Sequence, residues 1–356
     1  MGWKGELKKS VKTLYVLEKT IPLSSSEKEW FKKNYTSRLP LFICQSFFKK
    51  IERDKTNFSN PIRLQSIPRI EETFVSEDEA ADPLNEKSFS PIPGLVHRYE
   101  NRVLLYASHS CAHNCRHCFR GAIAHGGKNI FDHLDEIEDY IVAKEKICEV
   151  LLSGADPLIN GDKKLELILK MIKRARAKSG RPIVVRICTR TLFTLPSRIT
   201  NNLLRLLKKY RPIWFVVQIN HAQEISPDSI KAIKKIQKAS FPIVSQTVLL
   251  KGINDSVEAL KNLMNQLLVL GIKPYYLFQG DLAKGTKHFR VSLRDGLAIT
   301  AKLRKTVSGL ALPNYCVDLP HGGGKIPLQE SYFCNEDEKA YYFVNPENKI
   351  YGYPKE

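Results

Sequence analysis

The sequence contains no uninterrupted apolar run of the roughly 18 residues that a membrane-spanning helix needs, so we predict no membrane segment. The N-terminus lacks the apolar core of a secretory signal, and Glu6 stands where an N-myristoylation motif needs Ser or Thr. Cysteine is also scarce, since eight in 356 residues is too sparse for a disulfide-stapled scaffold. These absences predict a protein of the reducing cytoplasm.

Acidic residues are few relative to basic ones. The chain has 37 Asp and Glu against 56 Lys and Arg, which gives a formal net charge of +19. Such a charge would suit nucleic acid. The lysines, however, are spread over apparent helices at solvent-facing spacing and do not form one patch interleaved with aromatic residues. We therefore disfavour nucleic acid as a partner and expect part of the charge to serve anionic ligands.

Three of the cysteines are concentrated in the run CAHNCRHC at 111–118, directly after an apolar stretch at 103–107. Their spacing would let three thiolates hold three irons of a 4Fe-4S cluster and leave the fourth iron open for a reacting ligand. Simple electron carriers use four cysteines instead. A zinc site or chance clustering is the alternative, because zinc takes four ligands in a structural site, or three and a water in a catalytic one. The run favours an open iron–sulfur cluster.

The rest of the chain is periodic. Short β-rich runs recur about every 30 residues from residue 102 onward, which is typical of βαβ units and a parallel sheet. These runs lie at 103–107, 150–153, 183–188, 213–219, 243–250 and 274–278. Helical patterns follow them at 131–146, 165–177, 199–209, 227–239, 257–271 and 293–307.

Six units are two short of a closed eightfold barrel, so we predict an α/β fold, a partial (β/α)6 TIM-type barrel. Chemistry then belongs at the C-terminal ends of the strands, where the cysteine run lies. We divide the chain into an N-terminal helical extension and connector (1–90), the barrel (91–310), and a loop with a short C-terminal tail (311–356). Within the extension, apolar residues have helical spacing at 9–19 and 27–51.

Several further motifs accompany the cysteine run. In this order and spacing, they make the chain resemble the lysine 2,3-aminomutase family of the radical S-adenosylmethionine (SAM) superfamily over nearly its whole length. The motifs are PGLVHRY at 93–99, SGADPL at 153–158, LPSRIT at 195–200, QTVLL at 246–250 and GGGK at 322–325.

The resemblance implies that SAM binds the open iron of a 4Fe-4S cluster held by Cys111, Cys115 and Cys118, and is cleaved by an electron from it. It also implies that SAM is contacted by Ser153, Gly154, Asp156 and Gln246. Two positions depart from the family pattern. Ala155 replaces a second glycine, and Gln218 replaces a histidine that the family places near SAM.

A second cofactor, pyridoxal 5′-phosphate (PLP), is implied by the same resemblance. Lys325 follows three glycines that let a bulky ring approach the chain, and it matches the lysine that attaches PLP covalently. Arg98 and Arg102 match the cofactor-binding arginines, whose planar forks fit phosphate oxygens. Tyr99 lies between them and would pack on the ring. His321 stands where a further glycine is usual.

Substrate choice is implied by two acids and an arginine. Asp281 and Asp318 match the paired carboxylates that hold the side-chain ammonium of lysine, and Arg120 matches the arginine that binds the substrate carboxylate. Relatives that act on glutamate would not need two acids, and relatives of the elongation factor P pathway tend to lack them. The expected reaction is therefore the interconversion of L-α-lysine and L-β-lysine by 2,3-amino migration. A different amino acid, or β-lysylation of elongation factor P, is the alternative.

Larger family members bind zinc through a cysteine-rich tail and one cysteine of the barrel. Here Ser256 occupies the barrel position and the tail after Lys325 holds only Cys334, so zinc is not expected and a homo-oligomer is possible. An electron donor such as flavodoxin or ferredoxin is the expected protein partner. A radical SAM enzyme that modifies RNA, or a non-catalytic iron–sulfur module, would leave the Lys325 motif and the two acids unexplained.

Overall fold

The N-terminal extension folds into five helices. The computed structural model describes residues 2–33, 39–121, 130–329, 331–345 and 348–355. The helices are α1 (Trp3–Lys8), α2 (Leu14–Thr20), α3 (Ser25–Lys32), α4 (Gln45–Glu52) and α5 (Pro61–Leu64). Thr13, Ser24 and Asn60 precede α2, α3 and α5, and each side chain accepts a hydrogen bond from an otherwise unpaired amide of the first turn. The helical spacing at 27–51 thus belongs to two helices, α3 and α4.

The extension has its own apolar core. Phe47, Phe48 and Ile51 on one face of α4 pack against Leu17 of α2 and Ile62 of α5, and all five side chains are almost fully buried. Two 3₁₀ helices, Ile70–Thr73 and Glu86–Phe89, then lead the chain toward the sheet. The extension thus has an apolar core distinct from that of the barrel.

The main sheet has nine strands in the order of the sequence. They are β1 (Leu95–Tyr99), β2 (Arg102–Ser108), β3 (Glu149–Gly154), β4 (Val184–Thr189), β5 (Ile213–Gln218), β6 (Ile243–Val248), β7 (Lys273–Phe278), β8 (Asn314–Leu319) and β9 (Gly324–Pro327). Strands β2 to β8 are parallel, whereas β1 and β9 pair antiparallel at the two ends. The sheet forms a nearly closed barrel, and the predicted partial α/β barrel is confirmed.

Helices connect the parallel strands. They are α6 (Leu134–Ala143), α7 (Asp162–Ser179), α8 (Thr191–Thr194), α9 (Asn201–Lys208), α10 (Pro227–Lys238), α11 (Val257–Val269) and α12 (Leu293–Arg304). Ser226 begins α10 with a side-chain hydrogen bond, and Gly271 follows α11 with a φ of 68° that glycine adopts without strain. The six predicted strands match β2 to β7, and β8 adds a seventh parallel strand that the sequence analysis did not identify.

The strands alternate between two environments. In β4, Val185 and Ile187 are fully buried against the helical layer, whereas Arg186 and Cys188 face a cavity inside the barrel. The apolar core therefore lies between sheet and helices, and the interior of the barrel is left for polar and charged side chains. A site built there is enclosed by the sheet itself.

The last part of the chain forms a separate antiparallel sheet of β10 (Phe333–Glu336), β11 (Ala340–Val344) and β12 (Ile350–Pro354). The predicted segment 311–356 therefore contributes β8 and β9 to the barrel sheet and three strands to the smaller one. The domain boundaries themselves stay a prediction. Within the described ranges, no helix is long and apolar enough to cross a membrane.

Candidate active site

Every residue predicted for the site lines one cavity of about 390 Å³ in the interior of the barrel. Ligand sites typically measure roughly 300–1,000 Å³. The shared cavity brings together residues that are up to 227 positions apart in the sequence, from Arg98 to Lys325. The three cysteines, the two acids and Lys325 thus belong to a single chemical environment.

The three cysteines lie on the segment that follows β2, which we call the cluster loop (residues 109–121). Among the described residues, no group of three or more His, Cys, Asp or Glu side chains is arranged around a single metal ion. A 4Fe-4S cluster requires no such arrangement, because each thiolate binds a different iron. Burial raises the pKa of Cys111 and Cys115, the latter to about 11, so binding of iron must release protons there.

The N-terminal extension holds the cluster loop through buried polar contacts. Arg116, between two of the cysteines, forms a two-pronged ion pair with Glu72, with Nε–Oε1 at 2.9 Å and Nη2–Oε2 at 2.5 Å. Its Nη1 donates to the carbonyl of Leu39, and its backbone amide donates to the carbonyl of Gln65. Both charged side chains are at most 4% exposed, so neither could exchange its partner for water without moving the loop.

A second buried arginine contacts a cysteine directly. Arg190 follows β4, and its Nη1 donates a hydrogen bond to Sγ of Cys115. Its Nε and Nη2 donate to Glu224 at 3.3 and 2.8 Å, and Nη2 also donates to Oε1 of Gln65 at 2.7 Å. The sequence analysis missed Arg190, because its partners lie 34 to 125 residues away and form no local pattern.

The turn after β3 contains the first group of residues predicted to contact SAM. Gly154 has a φ of 86°, and a Cβ there would lie 2.9 Å from Cα of Tyr106 and 3.0 Å from the carbonyl oxygen of Ser108. Asp156 is buried, and its carboxylate accepts hydrogen bonds from the backbone amides of Leu158, Arg190 and Thr191 and from the Thr189 hydroxyl. We expect Asp156 to hold this turn in place rather than to contact a ligand through its side chain.

Gln246, the remaining residue of that group, lies on β6 opposite Gln218 of β5, and both side chains line the cavity. Two neighbouring amides provide donors and acceptors at this wall without any charge. The direct contacts of Ser153, Gly154, Asp156 and Gln246 with SAM stay predictions.

The residues predicted for PLP lie on the β1–β2 hairpin and on β9. The Lys325 amide donates to the Tyr99 hydroxyl at 2.8 Å, and the Arg102 guanidinium lies 3.7 Å from the centre of the Tyr99 ring. Arg98 lies 4.9 Å from the ring of Phe89, and its buried Nε has no hydrogen-bond partner in the part of the chain that the structure describes. A Cβ on Gly324 would lie 3.2 Å from Arg98. The arginine nitrogen without a partner, beside a glycine, fits an anionic group such as a phosphate.

Lys325 and Asp318 face each other across the β8–β9 hairpin. They are register partners, and Nζ of Lys325 lies 2.6 Å from Oδ2 of Asp318. The same ammonium lies 3.9 Å from the centre of the Phe278 ring. Asp281, after β7, is partly buried and lines the same cavity. Burial and the neighbouring charge of Asp318 raise its pKa to about 7.

Arg120 is already paired with an acid that the sequence analysis missed. Its Nε and Nη2 donate to Glu86 at 3.0 and 2.6 Å, and its Nη1 donates to Oγ of Ser153 at 3.0 Å. Tyr106 donates a hydrogen bond to the same carboxylate. Burial acts to raise the pKa of Glu86, but the charge and hydrogen bonds of Arg120 outweigh it and lower the pKa. In the sequence, Glu86 is one of many acids in an irregular stretch, and nothing distinguishes it there.

Sequence comparison identifies the group of proteins to which this site belongs. The sequence model of the radical SAM superfamily matches residues 105–264, and that of lysine-2,3-aminomutase matches 300–356. The chain is 37% identical to the L-lysine 2,3-aminomutase of Fusobacterium nucleatum over 353 residues, which cover 99% of this chain and 81% of the relative. It is 35% identical to that of Clostridium subterminale over 99% of this chain and 83% of the relative.

The chain belongs to the lysine 2,3-aminomutase family of the radical SAM superfamily. It is therefore a radical SAM enzyme of the isomerase class, for which the superfamily implies SAM and a 4Fe-4S cluster. The glutamate 2,3-aminomutase of Clostridioides difficile is also 37% identical, over 94% of this chain and 78% of the relative. Overall sequence identity thus does not distinguish lysine from glutamate as the substrate. The side chains that line the cavity have to provide that distinction.

The buried ion pair between Arg116 and Glu72 predicts that the position of the cluster loop depends on the extension. We expect Glu72→Gln to lower the free energy of unfolding by about 3–5 kcal/mol, because Arg116 would remain buried without a charged partner. Urea unfolding of the cluster-free protein measures the change. Glu100→Gln is the matched control, since Glu100 pairs with Lys146 where both side chains are 71% exposed and such pairs contribute little. Equal effects of the two substitutions would contradict the assigned importance of the Arg116–Glu72 pair.

Proposed function

We propose that this chain is a PLP-dependent aminomutase that interconverts free L-α-lysine and L-β-lysine. The observation that carries the proposal is the presence of Asp281, Asp318 and Lys325 in the same cavity as the three cysteines. The net charge of +19 would suit a radical SAM enzyme that modifies RNA, but such an enzyme would have no use for an acid pair beside a lysine in this cavity.

The acid pair suits an ammonium group. The charges of Asp318, Lys325, Arg120 and Glu86 all act on the partly buried Asp281. Two carboxylates close together repel each other, and the raised pKa of Asp281 reflects this repulsion and its burial. A second ammonium beside Lys325 would relieve the repulsion, whereas the side-chain carboxylate of glutamate would increase it. The pair therefore favours lysine over glutamate.

The arginine predicted for the substrate carboxylate keeps one of its two binding edges. Glu86 occupies the Nε–Nη2 edge of Arg120. At the Nη1–Nη2 end, Nη1 donates one hydrogen bond to Ser153 within the described part of the chain. A carboxylate can still bind across that end, because each terminal nitrogen carries two hydrogens. Glu86 thus orients the guanidinium, and Arg120 binds the α-carboxylate common to all amino-acid substrates.

The residues around Lys325 support PLP as the second cofactor. Arg98 supplies an unpaired buried donor for the phosphate, Arg102 supplies a second fork, and Gly324 leaves the space that a side chain would fill. Asp318 lies close enough to accept the proton that Lys325 must lose before its amine can react. When bound, the cluster and SAM supply the radical that removes a substrate hydrogen, and PLP supplies the ring that holds the migrating nitrogen.

The remaining partners follow from this chemistry. An open iron–sulfur cluster needs a one-electron donor, for which we propose flavodoxin or ferredoxin. It also needs reducing surroundings, which favours the cytoplasm. A homo-oligomer is compatible with the proposal but is not required by it, because every proposed site residue comes from one chain.

Substrate choice can be tested directly. Anaerobic incubation with SAM, a reductant and either lysine or glutamate should yield β-lysine alone, detected by chromatography and mass spectrometry. Asp281→Asn and Asp318→Asn should each lower kcat/KM for lysine about 10- to 100-fold, the value of a hydrogen bond to a charged group. Asp228→Asn, at an exposed acid on α10, is the control. Turnover of glutamate but not lysine would refute the proposal.

The pH dependence of binding follows from the pKa of Asp281. The carboxyl is protonated below about pH 7, and a neutral acid is a poor partner for an ammonium. The side chain of lysine keeps its charge up to about pH 10. We therefore expect the affinity for lysine, relative to norleucine, to rise between about pH 6 and pH 8.

Norleucine has the same α-amino and carboxyl groups and lacks only the side-chain ammonium, so the ratio of the two affinities isolates the acid pair. Equilibrium binding to the PLP-loaded enzyme without SAM measures both. In Asp281→Asn the ratio should be low and independent of pH. A rise that persists in this variant would assign the titration to another group.

Attachment of PLP depends on a single amine in this proposal. Lys325→Ala should abolish the borohydride-stable pyridoxyl adduct found by mass spectrometry, while iron and sulfide contents stay at the wild-type level. Lys146→Ala, at an exposed lysine, should keep the adduct. If the adduct persisted in Lys325→Ala, another lysine would carry PLP.

A further inference from the structure

Arg190 is buried beside the cluster loop and has a fixed orientation. The residue is 6% exposed, and Glu224, which is fully buried, accepts hydrogen bonds from its Nε and Nη2. Glu224 is itself held by the backbone amides of Asn220 and His221 and by the side chain of Gln65. The guanidinium is therefore fixed on the Nε–Nη2 edge, and its Nη1 points away from that edge.

The remaining end of Arg190 is directed at a predicted cluster ligand. Its Nη1 donates to Sγ of Cys115, and the guanidinium lies 5.4 Å from the centre of the Phe47 ring in the extension. Arg116, which lies in the cluster loop beside Cys115, differs from Arg190 because its side chain donates to Glu72 and to a carbonyl of the extension. The contact between Arg190 and Cys115 is thus an N–H···S bond from a guanidinium that three further hydrogen bonds, to Glu224 and Gln65, hold in place.

A hydrogen bond to a ligand sulfur acts on the electrons of the metal centre. Reduction of a 4Fe-4S cluster adds negative charge, part of which resides on the sulfurs, so a donor stabilises the reduced form more than the oxidised one. Hydrogen bonds to the sulfurs are among the factors that set cluster potentials, and groups behind the ligands tune metal sites in general. A charged donor in a buried site has the larger effect.

We infer that Arg190 is a positioning residue that raises the reduction potential of the cluster through its hydrogen bond to Cys115. Glu224 and Gln65 hold the donor in the correct direction. Because Gln65 belongs to the N-terminal extension, the extension contributes to the redox properties of the barrel as well as to its packing. The inference rests on the cluster that the superfamily implies and is independent of the identity of the substrate.

The test is a redox titration of the cluster without SAM, followed by electron paramagnetic resonance on samples of equal iron and sulfide content. At a fixed potential, Arg190→Met should lower the ratio of reduced to oxidised cluster about tenfold, which corresponds to a midpoint about 59 mV more negative for one electron. Arg190→Lys keeps the charge and should shift it less. Gln65→Leu removes one anchor and should shift the midpoint slightly in the same direction.

Arg186→Met is the matched control. Arg186 also lines the cavity but pairs with Glu149, so its loss removes a cavity charge without removing a bond to sulfur. An unchanged midpoint in Arg190→Met, or an equal shift in Arg186→Met, would overturn the inference. So would weaker SAM binding with an unchanged SAM-free midpoint, because Arg190 would then serve SAM. If Arg190→Met fails to hold a cluster, Arg190→Lys and Gln65→Leu decide by the same criterion.

Discussion

Buried ion pairs between the N-terminal extension and the loops of the barrel fix the geometry on which the site depends. Arg116, which lies between two cysteines of the cluster loop, pairs with Glu72 of the extension. Neither charged side chain is more than 4% exposed. A buried charge without its partner costs several kcal/mol. The extension therefore cannot separate from the barrel without exposing or stranding these charges. The described part of the extension is therefore structurally coupled to the cluster loop of the barrel.

The arrangement of charges inside the cavity lowers the stability of the folded protein at neutral pH. Burial and the like charge of Asp318 raise the pKa of Asp281 to about 7. Because the unfolded carboxyl has a pKa of about 3.9, the folded protein binds this proton more tightly. The stability that the proton contributes is present below about pH 4 and is lost as the pH rises through about 7. A ligand ammonium offsets this loss, so the strain is relieved when the proposed substrate binds.

The sequence predicted the periodic part of the fold and failed where contacts are long-range. Strands β2 to β7 follow from apolar runs separated by amphipathic helices, and their positions agree within a few residues. Strand β9 has no such signal, because it is short and begins at the last of three glycines, and only its pairing with β8 defines it. The sequence analysis missed Glu86 and Arg190 for a related reason. Each is an ordinary charged residue until the fold brings it to Arg120 or Cys115. Motifs locate the groups that react, whereas the groups that orient them are distributed over the chain.

The β8–β9 hairpin fixes the position of Asp318 relative to that of Lys325. Asp318 and Lys325 are direct partners in the antiparallel register, so their side chains leave the same face of the sheet. A shift of β9 by one residue would turn Lys325 to the opposite face. It would also break the amide hydrogen bond from Lys325 to Tyr99, which ties β9 to the first hairpin of the barrel. The strand starts at Gly324, which has a left-handed φ of 90° and where a Cβ would lie 3.2 Å from the Arg98 guanidinium. The strand register and the positions of Lys325 and Asp318 are thus set by a single turn of the chain.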